Sequence, residues 1–459
     1  MRSSLADALR AFYQNQRWPL SALFLIVLLS RLPFLDAGYG ANVDAWRVAR
    51  VAHDIATSGE YSVSRFPGYP VQEIVCSWFW NGGPIMLNGL TALFSAAVAT
   101  TFAAIARELT FRHWWLAGLA LAATPIFFVS SVCAKDYMWA LAFVLAAVLC
   151  SLHERSTIAG MFLGLATGCR ITSIAMALPI ALILFTRSSA RDRWRHLSNF
   201  AAVTAIVVLV ALSPVWFRYG TGFFTFYENH DRPGWPIILS RATVEIWGSV
   251  GLVGISIAFG YLFFRRAQLP RENKAIVAAF LLGLAIYVPA YLRLPDQAGY
   301  LLPAVPLTLL LLLSCVPDRA AQILCFCLLP SPFIEFAKGR IEPGAILADR
   351  AERLQTMMQV RDFVGYSQTL PGHNTIVVGA WEPQIAVMAP QLAHSRTHYV
   401  YLLSEAELIA AFERGEHVFY LPAMRAFNYR VNGLDLAAGG ALDLHALFLR
   451  QQAERAGQK

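Results

Sequence analysis

Residues 158–185 read Ile158-Ala-Gly-Met-Phe-Leu-Gly164-Leu-Ala-Thr-Gly168-Cys-Arg170-Ile-Thr172-Ser-Ile-Ala-Met-Ala-Leu-Pro-Ile-Ala-Leu-Ile-Leu-Phe185. At about 28 residues this apolar run exceeds the ~20 needed for one membrane crossing. Gly164, Gly168, Arg170 and Thr172 occupy its middle. Both flanks are basic, with His153–Arg155 before it and Arg187, Arg191, Arg193, Arg195 and His196 after it. Short basic connections face the cytoplasm in a polytopic protein, so both ends belong on one side. A single span breaks that parity, whereas two short helices meeting within the membrane keep it. Irregular backbone at that depth is tolerated only where it is buried in protein or lines a water-filled cavity.

The rest of the chain extends the pattern. Of 459 residues, 57% are hydrophobic and 14% charged, well short of the charged share of soluble domains. Further apolar runs are Trp18–Leu35, Gly82–Ala106, Trp114–Val132, Tyr137–Leu152, Phe200–Phe217, Val244–Phe264, Ala275–Leu292, Tyr300–Val316 and Ala320–Phe336. With the folded-back pair counted as two, about eleven segments result. Arg2, Arg10 and Arg17 put the N-terminus in the cytoplasm, and Arg107/Arg112, Arg265, Arg266, Arg271, Lys274 and Arg319 fall on the same side. No small-residue cleavage site follows the first run, so no cleavable signal peptide is expected. The net charge of +8 lies in these connections and not in a stripe with interleaved aromatics, which excludes nucleic acid as a partner. The seven cysteines lie mostly in apolar segments without a CxxC pair and read as small core residues.

The expected architecture is therefore an α-helical integral membrane domain over residues 1–337, with a re-entrant helix pair and a first outward loop at 36–81. A small α/β domain follows over 338–459. In it, Leu347–Tyr366 reads as a helical linker, and Thr375–Gly379, Tyr399–Leu402 and His417–Leu421 read as strands of a mainly parallel sheet. Trp381–Pro390 and Ser404–Arg414 read as helices, the latter opened by a Ser404/Glu407 capping box.

The outward loops hold the residues with chemistry. Asp44 opens a helical pattern just beyond the first membrane helix. A carboxylate there serves either as an N-cap or, if burial raises its pKa, as a general base. Arg170 in mid-membrane costs at least ~2.5 kcal/mol unless paired or solvated. It reads equally as a functional cation or as half of a structural pair with an unidentified carboxylate. Lys135–Asp136 reads as a site pair or a solvated loop pair. Glu228-Asn-His230-Asp231-Arg232 is a dense polar cluster in the third outward loop, where a solvated loop is the plainer reading. His394 and His398 have ligand spacing but no third partner, and no metal site is expected.

The order of these elements resembles the GT-C glycosyltransferases that use polyprenyl-phosphate sugars, especially the protein mannosyltransferase and lipid A aminoarabinose transferase group. Phe66-Pro67-Gly68-Tyr69-Pro70 resembles that group's Pro-Pro-x-Tyr-Pro element, and Cys133-Ala-Lys135-Asp136-Tyr137 its acidic second loop. Gly164–Arg170 resembles its Gly-Leu-x-x-Gly hairpin, and Asp296-Gln-Ala-Gly-Tyr300-Leu-Leu-Pro303 its late Arg-Tyr-x-Leu-Pro segment. The likeness spans most of Trp18–Leu313. It departs at Ala45, where many members carry a second acidic residue, at Gly68 in place of proline, and at Gly299 in place of arginine. The missing second carboxylate argues against a metal-binding Asp-x-Asp arrangement and leaves the acceptor class open.

The resemblance implies inverting transfer of a sugar from a polyprenyl phosphate to an acceptor hydroxyl on a glycolipid, lipopolysaccharide, polysaccharide or protein. The reaction would take place at the periplasmic face of a bacterial inner membrane, without an organic cofactor, and divalent-metal dependence stays open. Asp44 matches the family's general base. Lys135, Arg170 and Arg65 are the candidate phosphate contacts, and Asp136, Tyr69, His230 and Tyr300 the candidate substrate contacts. A transporter or lipid flippase shares many of these features. Such a protein would show matching broken segments in both halves, and only 158–185 reads as broken.

Overall fold

A computed structural model describes residues 17–224, 232–265, 274–337, 339–421, 424 and 442–443. The chain forms two compact units, Met1–Tyr39 with Val51–Ala351, and Gly40–Arg50 with Glu352–Lys459. In chain order the helices that build the first unit are α1 (Arg17–Arg31), α2 (Val43–Ser58), α3 (Pro70–Trp78), α4 (Gly83–Glu108), α5 (Trp114–Ala122), α6 (Pro125–Ser130), α7 (Tyr137–Leu152), α8 (Ser156–Cys169), α9 (Ala177–Arg187), α10 (Arg193–Tyr219), α11 (Trp235–Ala242), α12 (Val244–Arg265), α13 (Lys274–Arg293), α14 (Ala304–Cys315) and α15 (Asp318–Leu328). The first turns of α2 belong to the second unit.

The stretch 158–185 folds back on itself. Gly160, Gly164 and Gly168 form a stripe at helical spacing along α8. A Cβ at Gly160 would meet the Phe200 carbonyl at 2.7 Å, one at Gly164 would meet Val207 Cβ at 2.5 Å, and one at Gly168 Ala211 Cβ at 2.7 Å. The partner numbers rise together, so α8 runs parallel to α10 at a separation only small residues permit. Arg170 then takes extended dihedrals (φ −160°, ψ 111°) and ends the helix. A 3₁₀ turn over Ile171–Met176 leads into α9, which returns. Phe185, near the end of α9, packs against Trp194 and Arg193 at the start of α10. His196 Nδ1 lies 2.7 Å from Ser188 Oγ after α9 and 3.9 Å from Glu154 before α8. Both ends of the pair therefore reach one end of α10.

The described helices bear out an apolar helical assembly and carry only part of the expected eleven or so segments at full crossing length. Among the described residues, four helices are long and apolar enough to cross a membrane: Trp80–Glu108, Arg193–Gly222, Val244–Phe264 and Lys274–Arg293. Five shorter apolar helices accompany them, including both arms of the folded-back pair. The run 114–132 breaks into α5 and α6 because Thr124 is extended (ψ 128°) ahead of Pro125, which opens the next helix. The run 320–336 is helical only to Leu328. Pro330 and Pro332 follow, and the chain enters an antiparallel pair, β1 (Ile334–Ala337) with β2 (Arg340–Pro343).

After α16 (Ala345–Ser367) the second unit alternates strand and helix: β3 (Asn374–Val377), α17 (Trp381–Met388), β4 (Thr397–Val400), α18 (Glu405–Glu413), β5 (His417–Tyr420) and β6 (Leu442–Asp443). The strands form one parallel sheet in the order β4-β3-β5-β6. Every residue of β3 is buried, as befits a parallel strand covered on both faces. Ile376 and Val378 join Val360, Phe363 and Ile385 in one core, while Val377 joins Leu403, Leu408 and Val418 in another. Ser404 caps α18 with the reciprocal Glu407 bonds of a capping box.

Candidate functional site

The turn at Arg170 ends in a buried polar knot. Arg170 Nη1 donates to Asp136 Oδ2 at 2.6 Å, and Arg65 Nη2 donates to Asp136 Oδ1 at 2.7 Å. Asp136 is fully buried and Arg170 only 9% exposed. Burial pushes the Asp136 carboxyl up, but the Arg170 and Arg65 guanidiniums beside it more than reverse that and hold it below the ordinary carboxylate value. It is thus a fixed anion and a weak base.

Aromatic faces complete the knot. The Arg170 guanidinium lies over Tyr137 (4.3 Å) and Tyr300 (5.3 Å), and that of Arg65 over Tyr69 (4.3 Å). Lys135 Nζ donates to Gln297 Oε1 at 3.1 Å and lies 5.1 Å from the centroid of the Tyr137 ring. Three parts of the chain far apart in sequence thus deliver two guanidiniums and an ammonium to one place. Their low exposure strengthens electrostatic interactions, and planar guanidiniums suit the bidentate recognition of phosphate.

Local structure accounts for both departures near this knot. Gly68 has φ +96°, which proline, locked near −65°, does not adopt. A Cβ there would also meet Val215 and Val63 within 2.9 Å. A Cβ at Gly299 would lie 2.9 Å from Tyr137 Cζ, so the Tyr137 ring occupies the space a longer side chain needs.

Six of the anticipated residues converge here: Arg65, Tyr69, Lys135, Asp136, Arg170 and Tyr300. The unidentified carboxylate partner of Arg170 is Asp136. Asp44 lies in the second unit, in the first turn of α2. Its backbone N–H donates to Asn42 Oδ1 at 2.8 Å, so Asn42 and not Asp44 provides the cap. The Asp44 carboxylate is 3.7 Å from Arg47, and the Arg47 guanidinium rests 5.0 Å from the Tyr401 ring centroid. His230, with Glu228 and Asp231, falls outside the described residues. Among the described residues no group of three or more His, Cys, Asp or Glu side chains is placed to hold a metal.

Three participants were not singled out from the sequence. Tyr137 and Gln297 sit inside the quoted motifs but look unremarkable there. Glu73 looks like a polar residue of a short amphipathic helix, yet it is fully buried.

The unit that carries this knot is a helical, apolar assembly with a folded-back helix pair. No family model matches the chain, and no curated protein does. Among solved structures it is similar to the crystal structure of ArnT from Cupriavidus metallidurans bound to undecaprenyl phosphate. The identity is 18% and the TM-score 0.48, covering 80% of this chain and 68% of that one.

Proposed function

We propose that this chain is a membrane glycosyltransferase that moves a sugar from a polyprenyl-phosphate donor to an acceptor hydroxyl with inversion. The observation that carries this reading is the convergence of Arg65, Arg170 and Lys135 at the tip of the folded-back pair. Charged side chains in apolar surroundings are costly and mark function, and a departing lipid phosphate needs cations where its charge develops. The acceptor oxygen attacks the anomeric carbon as the bond from that carbon to the phosphate oxygen breaks. The electron pair leaves with the polyprenyl phosphate, and the acceptor proton passes to a carboxylate. Asp136 is engaged on both oxygens and suits an electrostatic role. Asp44 takes the general-base role that the family resemblance implies, and Tyr69 and Tyr300 supply aromatic faces beside the phosphate contacts.

The distribution of basic connections supports a cytoplasmic N-terminus and a periplasmic reaction in a bacterial inner membrane. Acceptors of this chemistry are glycolipid, lipopolysaccharide, polysaccharide or protein hydroxyls.

Asp44→Asn tests the reading in cells that express folded protein. Transfer of sugar to envelope glycans, read by mass spectrometry, falls by roughly 10²-fold or more, the scale of losing a general base. Unchanged transfer removes Asp44 from the mechanism.

A further inference from the structure

We infer that Glu73 is a positioning residue that holds Arg65 in place for the donor phosphate. The role rests on the proposed donor site and assigns that site a residue outside the family motifs.

The Glu73 carboxylate is buried on α3 and accepts three hydrogen bonds from the segment that carries Arg65. Ser64 N donates to Oε1 at 2.8 Å, Tyr69 N to Oε2 at 3.1 Å, and Tyr61 Oη to Oε2 at 2.6 Å. Two of these donors bracket Arg65, one residue before it and four after it. Between them Gly68 N donates to Arg65 O at 2.8 Å and closes the turn. Tyr69, whose N–H is held by Glu73, also presents its ring to the Arg65 guanidinium. Three bonds to one buried carboxyl group fix the backbone on both sides of Arg65 and the face on which its side chain rests. Buried donors left without a partner are costly, so a buried acceptor on a rigid helix is a firm anchor. Arg65 is thereby aimed at Asp136. The Glu73 bonds go to the backbone on either side of Arg65 and to Tyr61, while both Asp136 oxygens are bonded by Arg65 and Arg170, so Glu73 acts through Arg65.

The test is a double-mutant cycle on the full-length protein purified in detergent, with a polyprenyl-phosphate sugar as donor. Glu73→Ala raises the donor KM about tenfold or more, the scale of leaving buried donors unpaired, while kcat changes less than about threefold. Arg65→Ala raises KM at least as much, and adding Glu73→Ala to it raises KM no further, because a residue acting through Arg65 has nothing left to position. Full multiplication of the two effects overturns the proposal, as does an unchanged KM in folded Glu73→Ala. If Glu73→Ala does not fold, Glu73→Gln replaces it in the same cycle; it keeps the side-chain shape and one accepting oxygen, and its KM rises severalfold under the same non-additivity rule. An unchanged KM in Arg65→Ala overturns the donor-site reading itself, and the role of Glu73 with it.

Discussion

At the scale of single residues, the Arg170–Asp136 pair admits a structural and a functional use, and stability and activity separate them. Removing one partner of a buried pair leaves a charge without its counter-ion. Arg65 still faces Asp136, so Arg170→Gln is predicted to cost roughly 3 kcal/mol, near the low end for such pairs. Replacing all three charges together, as Arg65→Gln, Asp136→Asn and Arg170→Gln, leaves no buried charge without a counter-ion and restores most of that stability, and sugar transfer stays lost. Thermal unfolding and a transfer assay on the same preparations check both halves, and recovery of activity together with stability would make the pair purely structural. Glu73 gives a pH prediction. Burial raises its carboxyl above the ordinary value despite three donated hydrogen bonds. Its stabilising contribution is therefore full below the ordinary carboxylate pKa and is lost as pH rises through the raised value. Glu73→Gln is expected to remove that decline from thermal unfolding followed between about pH 4 and pH 8. Arg170 was legible in the sequence because a charge in an apolar run is conspicuous. Its partner was not, since several outward carboxylates satisfy the same requirement and only the fold selects among them. Glu73 was hidden because α3 is short and burial of its polar face depends on neighbours distant in sequence.

At the scale of elements, charge parity located the folded-back pair, since basic flanks on both sides of a run need no knowledge of packing. Parity says nothing about what allows close approach, which is the Gly160/Gly164/Gly168 stripe against α10. Gly164→Leu is predicted to destabilise the protein by about 1–3 kcal/mol through overpacking and to abolish transfer, because Arg170 ends the same helix. Gly260→Ala on α12, where a Cβ meets nothing within 4 Å, is the control and leaves stability unchanged or slightly raised. Detergent thermal unfolding of both variants checks the pair. The segments read too long, 114–132 and 320–336, carry prolines that hydropathy averages away. Pro125 restarts a helix and Pro330 and Pro332 stop one, so local backbone chemistry overrode the apolar run in each case.

At the scale of the whole molecule, the strand and helix alternation after residue 345 was legible because each element carries its own period and caps. The membership of Gly40–Arg50 in the second unit was not, because it rests on side chains remote in sequence. Arg50 pairs with Glu382, and Arg47 lies against Tyr401. Glu382→Arg is predicted to raise hydrogen exchange at the first turns of α2, and Arg50→Glu in that background to restore protection. Unaltered exchange in the single variant would show that this pair does not hold the helix.

The donor site is tested most directly by native mass spectrometry of the purified protein with polyprenyl phosphate and, separately, with the uncharged polyprenol. One phosphorylated lipid is predicted to stay bound to the wild type, to be lost from Arg65→Ala and from Arg170→Gln, and to have no uncharged counterpart. Equal retention of the phosphorylated lipid by wild type and both variants would contradict a phosphate site built on these arginines.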